Sequence, residues 1–316
     1  MDKKRISAYI GAIAILVATI FWGTAFAQQR LASQYLGALT LNSTRFLLGG
    51  LILVPFVLAT AMHRNRTDGT VKGFSGIGGK RLLAGGVVAG LALFLAAYLQ
   101  QKGLETTSAG KSGFLTTLYI VLVPIFSVAL KKRTTLVNWI GIAIALGGMY
   151  LMCMTGPFRF ETGDLYLIGC AVMFAVQILV IDVLSVDCDP LAFSCVQELT
   201  CGLVGLIPAL LVEKPTMRAI MAARTPLLFL AVFSCAIAYT LQVVGQRKVP
   251  AQAATLLMSL EAVFASIAGV ILLGERMSVR EMIGAALIFA AVLLVELYQP
   301  KKEATPPSAA GKEPGD

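Results

Sequence analysis

The chain is 316 residues long, 57% apolar and only 14% charged, with a mean hydropathy of +0.81. A soluble domain carries about 25% charged residues. This chain lacks the polar surface to cover a water-soluble globule, so the composition excludes disorder, a collagen-like fibre, a small disulfide scaffold and a cytosolic enzyme domain. The net charge of +9 is no nucleic-acid footprint, because the basic residues fall between hydrophobic blocks, where membrane-protein loops gather them.

A transmembrane helix needs about 20 apolar residues. Ten segments of suitable length are bounded by charge, Pro or Gly clusters: residues 7–27, 37–61, 82–100, 108–130, 135–153, 163–183, 190–212, 226–246, 251–273 and 279–298. The expected fold is an all-α membrane protein of ten transmembrane helices, with the lipid bilayer as its partner. Residues 1–6 form an N-terminal tail. Lys3, Lys4 and Arg5, followed by Ala25-Phe26-Ala27, imitate a secretory signal with its cleavage site. The apolar stretch between them is nevertheless long enough for a retained spanning helix. Gly85, Gly86 and Gly90 in the third segment let helix backbones approach closely in lipid. The segment 63–81, with Gly69, Gly73, Gly76, Gly78 and Gly79, reads as a flexible loop. Residues 299–316, with Pro306, Pro307 and Gly311, read as a disordered tail.

With the N-terminus in the cytoplasm, sixteen Lys and Arg lie on that side and eight on the other, leaving Arg45 and Lys111 within spans. This excess places both termini in the cytoplasm of a multi-pass protein of the inner (plasma) membrane. Six cysteines form no CxxC pair, and His63 is the single histidine. They supply no material for a metal centre, and no cofactor is expected. The chain has no P-loop, no HExxH and no His-assisted nucleophile, so neither enzyme chemistry nor ATP hydrolysis is expected. No nucleic-acid partner is expected, and no feature of the sequence sets an oligomeric state.

Residues 103–151 align with residues 245–294. Gly103 matches Gly245, Ala109 matches Ala251, Leu118 matches Leu260 and, after one inserted residue, Ile140-Gly141 matches Ile283-Gly284. Upstream, Leu99-Gln100 pairs with Leu241-Gln242, and Phe21-Trp22-Gly23 aligns with Met173-Phe174-Ala175. The chain therefore reads as two five-helix units, residues 7–153 and 163–298. Five is odd, so the second unit enters the membrane in the opposite sense, an inverted repeat suited to alternating access.

Phe21-Trp22-Gly23, Arg45, Gly103-Leu104, the run from Ser108 through Lys111 to Leu115, and Val123-Pro124 in the first unit are similar to signature stretches of one known family. Gln246 before Pro250, Leu260-Glu261-Ala262-Val263-Phe264 and Leu273-Gly274-Glu275-Arg276 in the second unit extend the likeness. The chain resembles the EamA-type transporters of the drug/metabolite transporter superfamily across residues 7–298. It departs from them at Ala262, where the family usually has Pro, and at Lys131-Lys132, which stand where the second unit has Gly-Glu. The resemblance implies a ten-helix secondary carrier for a small-molecule metabolite or drug, often an exporter. A proton-coupled multidrug pump is one alternative. A membrane scaffold, sensor or channel is another.

An ionisable side chain inside a span costs at least a few kcal/mol. Glu261, the eleventh residue of its segment, is either a substrate- or proton-binding carboxylate or a helix cap or interhelical hydrogen bond that holds its helix in place. Arg45 and Glu198 fall within roughly 6 Å of one depth at 1.5 Å per residue, so Arg45 either pairs with Glu198, bonds to carbonyls or contacts substrate. Lys111 either snorkels to the surface or faces the cavity. Cys235, Tyr239, Gln242 and Gln246 share one α-helical face, which should turn inward, with Gln100 as the repeat mate of Gln242. Trp22, Tyr98, Tyr119 and Gln177 complete the candidate lining. The first unit supplies Arg45 and Lys111 where the second has Gln197 and Ala253, and the second supplies Glu261 where the first has Tyr119. A solute with both an amine and a carboxylate, amino-acid-like, would satisfy both ends.

Overall fold

The structure is a computed structural model, and it describes residues 3–68, 79–107, 109–131, 134–154, 160–273 and 276–298. Among these residues the fold is helical throughout with no strand, and nine helical stretches are long and apolar enough to cross a membrane. The first helices are α1 (Lys3–Ala32), α2 (Ala38–Asp68), α3 (Gly79–Leu104), α4 (Ala109–Thr116), α5 (Tyr119–Ala129) and α6 (Leu136–Cys153). The second group is α7 (Thr162–Leu184), α8 (Pro190–Pro208), α9 (Met217–Ala222), α10 (Arg224–Phe229), α11 (Thr240–Gln246), α12 (Ala251–Met258), α13 (Glu261–Leu273) and α14 (Val279–Tyr298). Two π-helical stretches are built in, Ala209–Glu213 after α8 and Leu230–Tyr239 between α10 and α11.

The helices run past the apolar segments that specify them. α1 starts at Lys3, taking in most of the expected tail, and continues unbroken through residues 25–27 to Ala32. α2 extends to Asp68, so residues 63–68 are helix where a loop was expected. The physical reason is that apolar length sets the membrane crossing while intrahelical hydrogen bonds continue through the polar interface. The remaining glycine-rich residues 69–78 and the tail 299–316 lie outside the described residues.

The fourth and ninth segments, each expected to form one spanning helix, are not continuous helices. Each is interrupted once, at Thr117-Leu118 and at Ser259-Leu260. At the first break the Thr117 hydroxyl donates to Gly113 O (2.8 Å), and at the second the Ser259 hydroxyl donates to Leu256 O (2.6 Å). Hydroxyls bonded back to the preceding turn weaken the backbone ladder. The backbone there tightens to three-residue bonds, Leu118 N to Leu115 O and Leu260 N to Leu257 O.

The longest helix contacts run between the first six helices and the later ones. α3 lies along α7 and α8, α2 along α8 and the long π stretch, α6 along α14, and α1 against α11, α13 and the π stretch. α4 and α5 pack on α7, and α5 also meets α12. Several crossings depend on glycine. A Cβ on Gly245 would stand 2.8 Å from Gly11 O, and one on Gly163 would stand 3.1 Å from Gly103 O. Close backbone approach of this kind is how helices associate where lipid removes the usual hydrophobic drive. Phe46, Leu93, Tyr119, Ile178, Tyr239 and Leu256 share one buried core. Leu51, Phe56, Ile207, Leu211 and Leu293 stay exposed, as lipid-facing sides require.

Candidate functional site

A cavity opens among the helices, with about 510 Å³ of unfilled space counting its open mouth. α1 contributes Trp22 and Gln29, α2 Arg45, and α3 Gln100. The broken helices bring their breaks to the same space: Thr116 ends α4 and Tyr119 begins α5, while Met258 ends α12 and Glu261 begins α13. α7 adds Phe174 and Gln177, the long π stretch Ser234 and Tyr239, and α11 Gln242. Eight of the ten residues singled out from sequence thus meet in one place: Trp22, Arg45, Gln100, Tyr119, Gln177, Tyr239, Gln242 and Glu261.

Tyr98 and Lys111 do not. Tyr98 stacks on Phe94 along α3, with ring centroids 6.2 Å apart. Lys111 neither faces the cavity nor snorkels. It is buried, its Nζ lying 2.7 Å from Asp164 Oδ2 and 3.7 Å from Glu161 Oε2, which ties α4 to the start of α7. Asp164 also accepts from Glu161 N at 2.8 Å, closing a capping box at that helix start.

Within the lining an aromatic column is continuous. The Trp22 indole donates to Ser234 O (3.1 Å) and packs against Tyr239 at 5.0 Å between centroids. Tyr239 meets Phe46 at 5.6 Å, and the Arg45 guanidinium carbon lies 4.9 Å above the Phe46 ring. Cation–π contact holds that cation in place without neutralising it. Among the described residues no ion pair joins Arg45 to Glu198. Ser194 Oγ lies 3.2 Å from Glu198 Oε1, and both atoms are buried. Glutamines form a second cluster. Gln177 and Gln242 exchange amide hydrogen bonds of 3.3 Å, and Gln177 Nε2 also donates to Gln197 Oε1 at 3.1 Å. Arg45 Nε, Tyr119 Oη and Gln29 Oε1 are buried without a hydrogen-bond partner.

The face expected from Cys235, Tyr239, Gln242 and Gln246 is altered. In the π stretch hydrogen bonds run five residues back, so Ser234 lines the cavity with Tyr239, and Cys235 is buried outside the lining. Gln246 instead donates to Ile178 O at 3.2 Å. Gln29, Thr116, Phe174 and Met258 were not singled out from sequence. Helical spacing was the available signal: Gln29 lies two turns beyond Trp22, and Thr116, Phe174 and Met258 lie one turn before Tyr119, Gln177 and Glu261.

The sequence profile of the EamA-like transporter family matches residues 9–154 and again residues 161–297. The chain belongs to the EamA-like transporter family. It is a multi-pass membrane protein, and two of its relatives are named as transporters. An "Uncharacterized transporter" of Archaeoglobus fulgidus is 27% identical over 295 residues, covering 93% of this chain and 87% of the relative. The "Uncharacterized transporter YwfM" of Bacillus subtilis is 28% identical over 308 residues, covering 93% and 96%. A solved crystal structure, 18% identical, superimposes with a TM-score of 0.75 over 91% of this chain and 96% of its own, a likeness of fold.

Proposed function

We propose that this family member is a secondary carrier that exports a small organic metabolite across the plasma membrane by alternating access. Two inverted five-helix halves, residues 7–153 and 163–298, would rock about the cavity, with α14 as the tenth span and both termini in the cytoplasm. The observation that carries this reading is that both halves line the cavity and that each contributes a broken helix there, at repeat-matched positions. In membrane carriers, discontinuous helices at a repeat interface build the substrate site.

Three further features support the inverted repeat. The family profile matches the chain twice. The glycine crossing of α1 with α11 has a counterpart in that of α7 with α3: Gly103 aligns with Gly245, and the offset that aligns Phe21 with Met173 carries Gly11 onto Gly163. The packing of α3 on α7 likewise mirrors that of α11 and the π stretch on α1. An amino-acid-like solute suits a cavity lined by one arginine and one glutamate. The test is counterflow: purified protein in proteoliposomes preloaded with a solute should accelerate entry of the labelled solute, with saturation. Uptake that is linear in concentration and indifferent to preloading would indicate a channel, and no uptake of any solute a scaffold or sensor.

A further inference from the structure

Away from the cavity, the connection between α8 and α10 gathers uncommitted charge beside exposed apolar side chains. It carries Lys214, Arg218 and Arg224, all exposed, and its one acid, Glu213, is committed to the first N–H groups of α2. Among the described residues no carboxylate pairs with any of the three cations. The usual charge bias of loops does not account for them, since on the topology proposed above they lie on the side poorer in Lys and Arg. At helical spacing α9 turns three faces. Ala219 and Ile220 pack inward, against the cluster of Ala25, Ala32, Leu36 and Leu41 that joins the end of α1 to the start of α2. Met217 and Met221, 71% and 51% exposed, share a second face, and Arg218 stands on the third. Arg224 Nη1 donates to Met221 O at 3.1 Å, which holds its guanidinium beside the methionines. The π stretch that leads into this connection leaves Leu210, Leu211 and Val212 exposed.

We propose that this connection is a binding site for an anionic phospholipid, with Lys214, Arg218 and Arg224 on its phosphate and Met217, Met221 and the π stretch against its upper acyl chains. A short helix with a cation on one flank and large apolar side chains on the next has the pattern of a segment lying in the membrane interface. The apolar flank favours a lipid over a soluble anion, which would leave it uncovered. The charge favours an anionic lipid over a zwitterionic one, whose ammonium would be brought to three cations with no free acid to meet it. Guanidinium groups also match phosphate oxygens in pairs. α9 rests on the end of α1, and α10 continues into the long π stretch, so a bound headgroup would brace two elements that line the cavity.

Lipid beside α9 can be read directly from a tryptophan placed at the exposed position 222. Full-length protein bearing Trp139→Phe and Ala222→Trp is reconstituted in phosphatidylcholine bilayers, with the protein lacking Ala222→Trp as blank. Quenching by brominated phosphatidylglycerol is compared with quenching by brominated phosphatidylcholine. Phosphatidylglycerol should be preferred roughly tenfold or more, and less so at high salt. Lys214→Gln, Arg218→Gln and Arg224→Gln should each weaken the preference about fivefold, and the triple variant should remove it. A control triple, Arg5→Gln, Lys80→Gln and Lys131→Gln, changes the net charge equally at exposed residues elsewhere and should keep it. The single variants decide the question should the triple not fold. Equal quenching by both lipids, a preference that survives in the site variants, or one lost equally in the control would overturn the proposal. So would full displacement of the lipid by millimolar glycerol phosphate, which would assign the cations to a soluble anion. A reporter map placing this connection in the cytoplasm would instead correct the topology and leave the headgroup site standing.

Discussion

The ion pair between Lys111 and Asp164 joins α4 to α7 through two side chains that are 10% and 0% exposed. Removing one partner of a buried pair costs about 3–5 kcal/mol, because the other is left charged without water. Lys111→Met should therefore destabilise by about that amount, since Asp164 keeps only the backbone N–H of Glu161 for its carboxylate in this cluster. Asp164→Asn should cost less, about 2 kcal/mol, for two reasons. Glu161, half exposed and 3.7 Å away, remains as a weak counter-charge for Lys111, and an amide oxygen still caps the helix. With both changes made, no unpaired charge remains, and replacing a buried pair by neutral groups is often close to neutral. The double variant should lie within about 2 kcal/mol of wild type, a coupling energy of about 3 kcal/mol. At about 2 °C per kcal/mol for a chain of this size, the apparent Tm in detergent should fall by about 6–10 °C for Lys111→Met and recover most of that loss in the double variant. Additive losses, or a Lys111→Met protein melting within about 1 °C of wild type, would show that the pair does not hold these helices together.

Four other outcomes are expected. Glu213, at the end of the shorter π stretch, accepts from Leu39 N, Thr40 N and the Thr40 hydroxyl at 2.6–2.9 Å and so caps α2. Glu213→Gln should lose about 1 kcal/mol and Glu213→Ala about 2 kcal/mol, read as apparent Tm. Gly37→Val should be worse than Gly37→Ala, because a side chain there meets the Glu213 carboxylate. Reporter fusions should place both termini and the end of α2 around Arg64 on the cytoplasmic side, and an external C-terminus would remove the inverted repeat. A protonated Glu261 cannot hold an ammonium, so solute affinity should fall as pH is lowered; Glu261→Gln should flatten that dependence, and a retained slope would assign it to another group.

What the sequence made legible was whatever lipid penalises. Arg45, Gln100, Gln177, Gln242 and Glu261 stand out because a polar side chain in a span must turn toward protein or water, and the structure brings all five to one cavity. Lys111 stands out for the same reason and goes elsewhere. Its partner Asp164 lies 53 positions on and begins a different helix, and no periodicity within α4 points to it. Phe174 and Met258 carried no signal of their own, since apolar residues in apolar spans are the background. Ser234 was hidden by geometry: the α-helical period selects Cys235 as the companion of Tyr239, and only the π stretch brings Ser234 round. The helix breaks were half visible. Tyr119 and Glu261 were matched by the repeat, but hydroxyls that bond backward at Thr117 and Ser259 look the same in sequence as Thr24, which bonds to Phe21 O inside an unbroken α1.

On the repeat reading, matched positions divide into two kinds, and the division explains why the site is polar on unequal terms. Positions that agree between halves build the frame: Gly103 and Gly245 each admit a neighbouring backbone at a helix crossing. Gln100 and Gln242 agree and both line the cavity, whereas the positions that differ supply its charged side chains. The mate of Arg45 is Gln197, whose Oε1 accepts from Gln177 within the amide cluster and which lines no part of the cavity. Arg45 has no such amide partner and lies over the Phe46 ring instead. The mate of Glu261 is Tyr119, which supplies a hydroxyl in place of a carboxylate. A carrier of identical halves would present the same charge from both sides and would pair poorly with a solute whose two ends differ. On that reading, Arg45 standing where the other half has Gln197, and Glu261 where it has Tyr119, would make the two ends of the cavity unlike while the frame that rocks kept its symmetry.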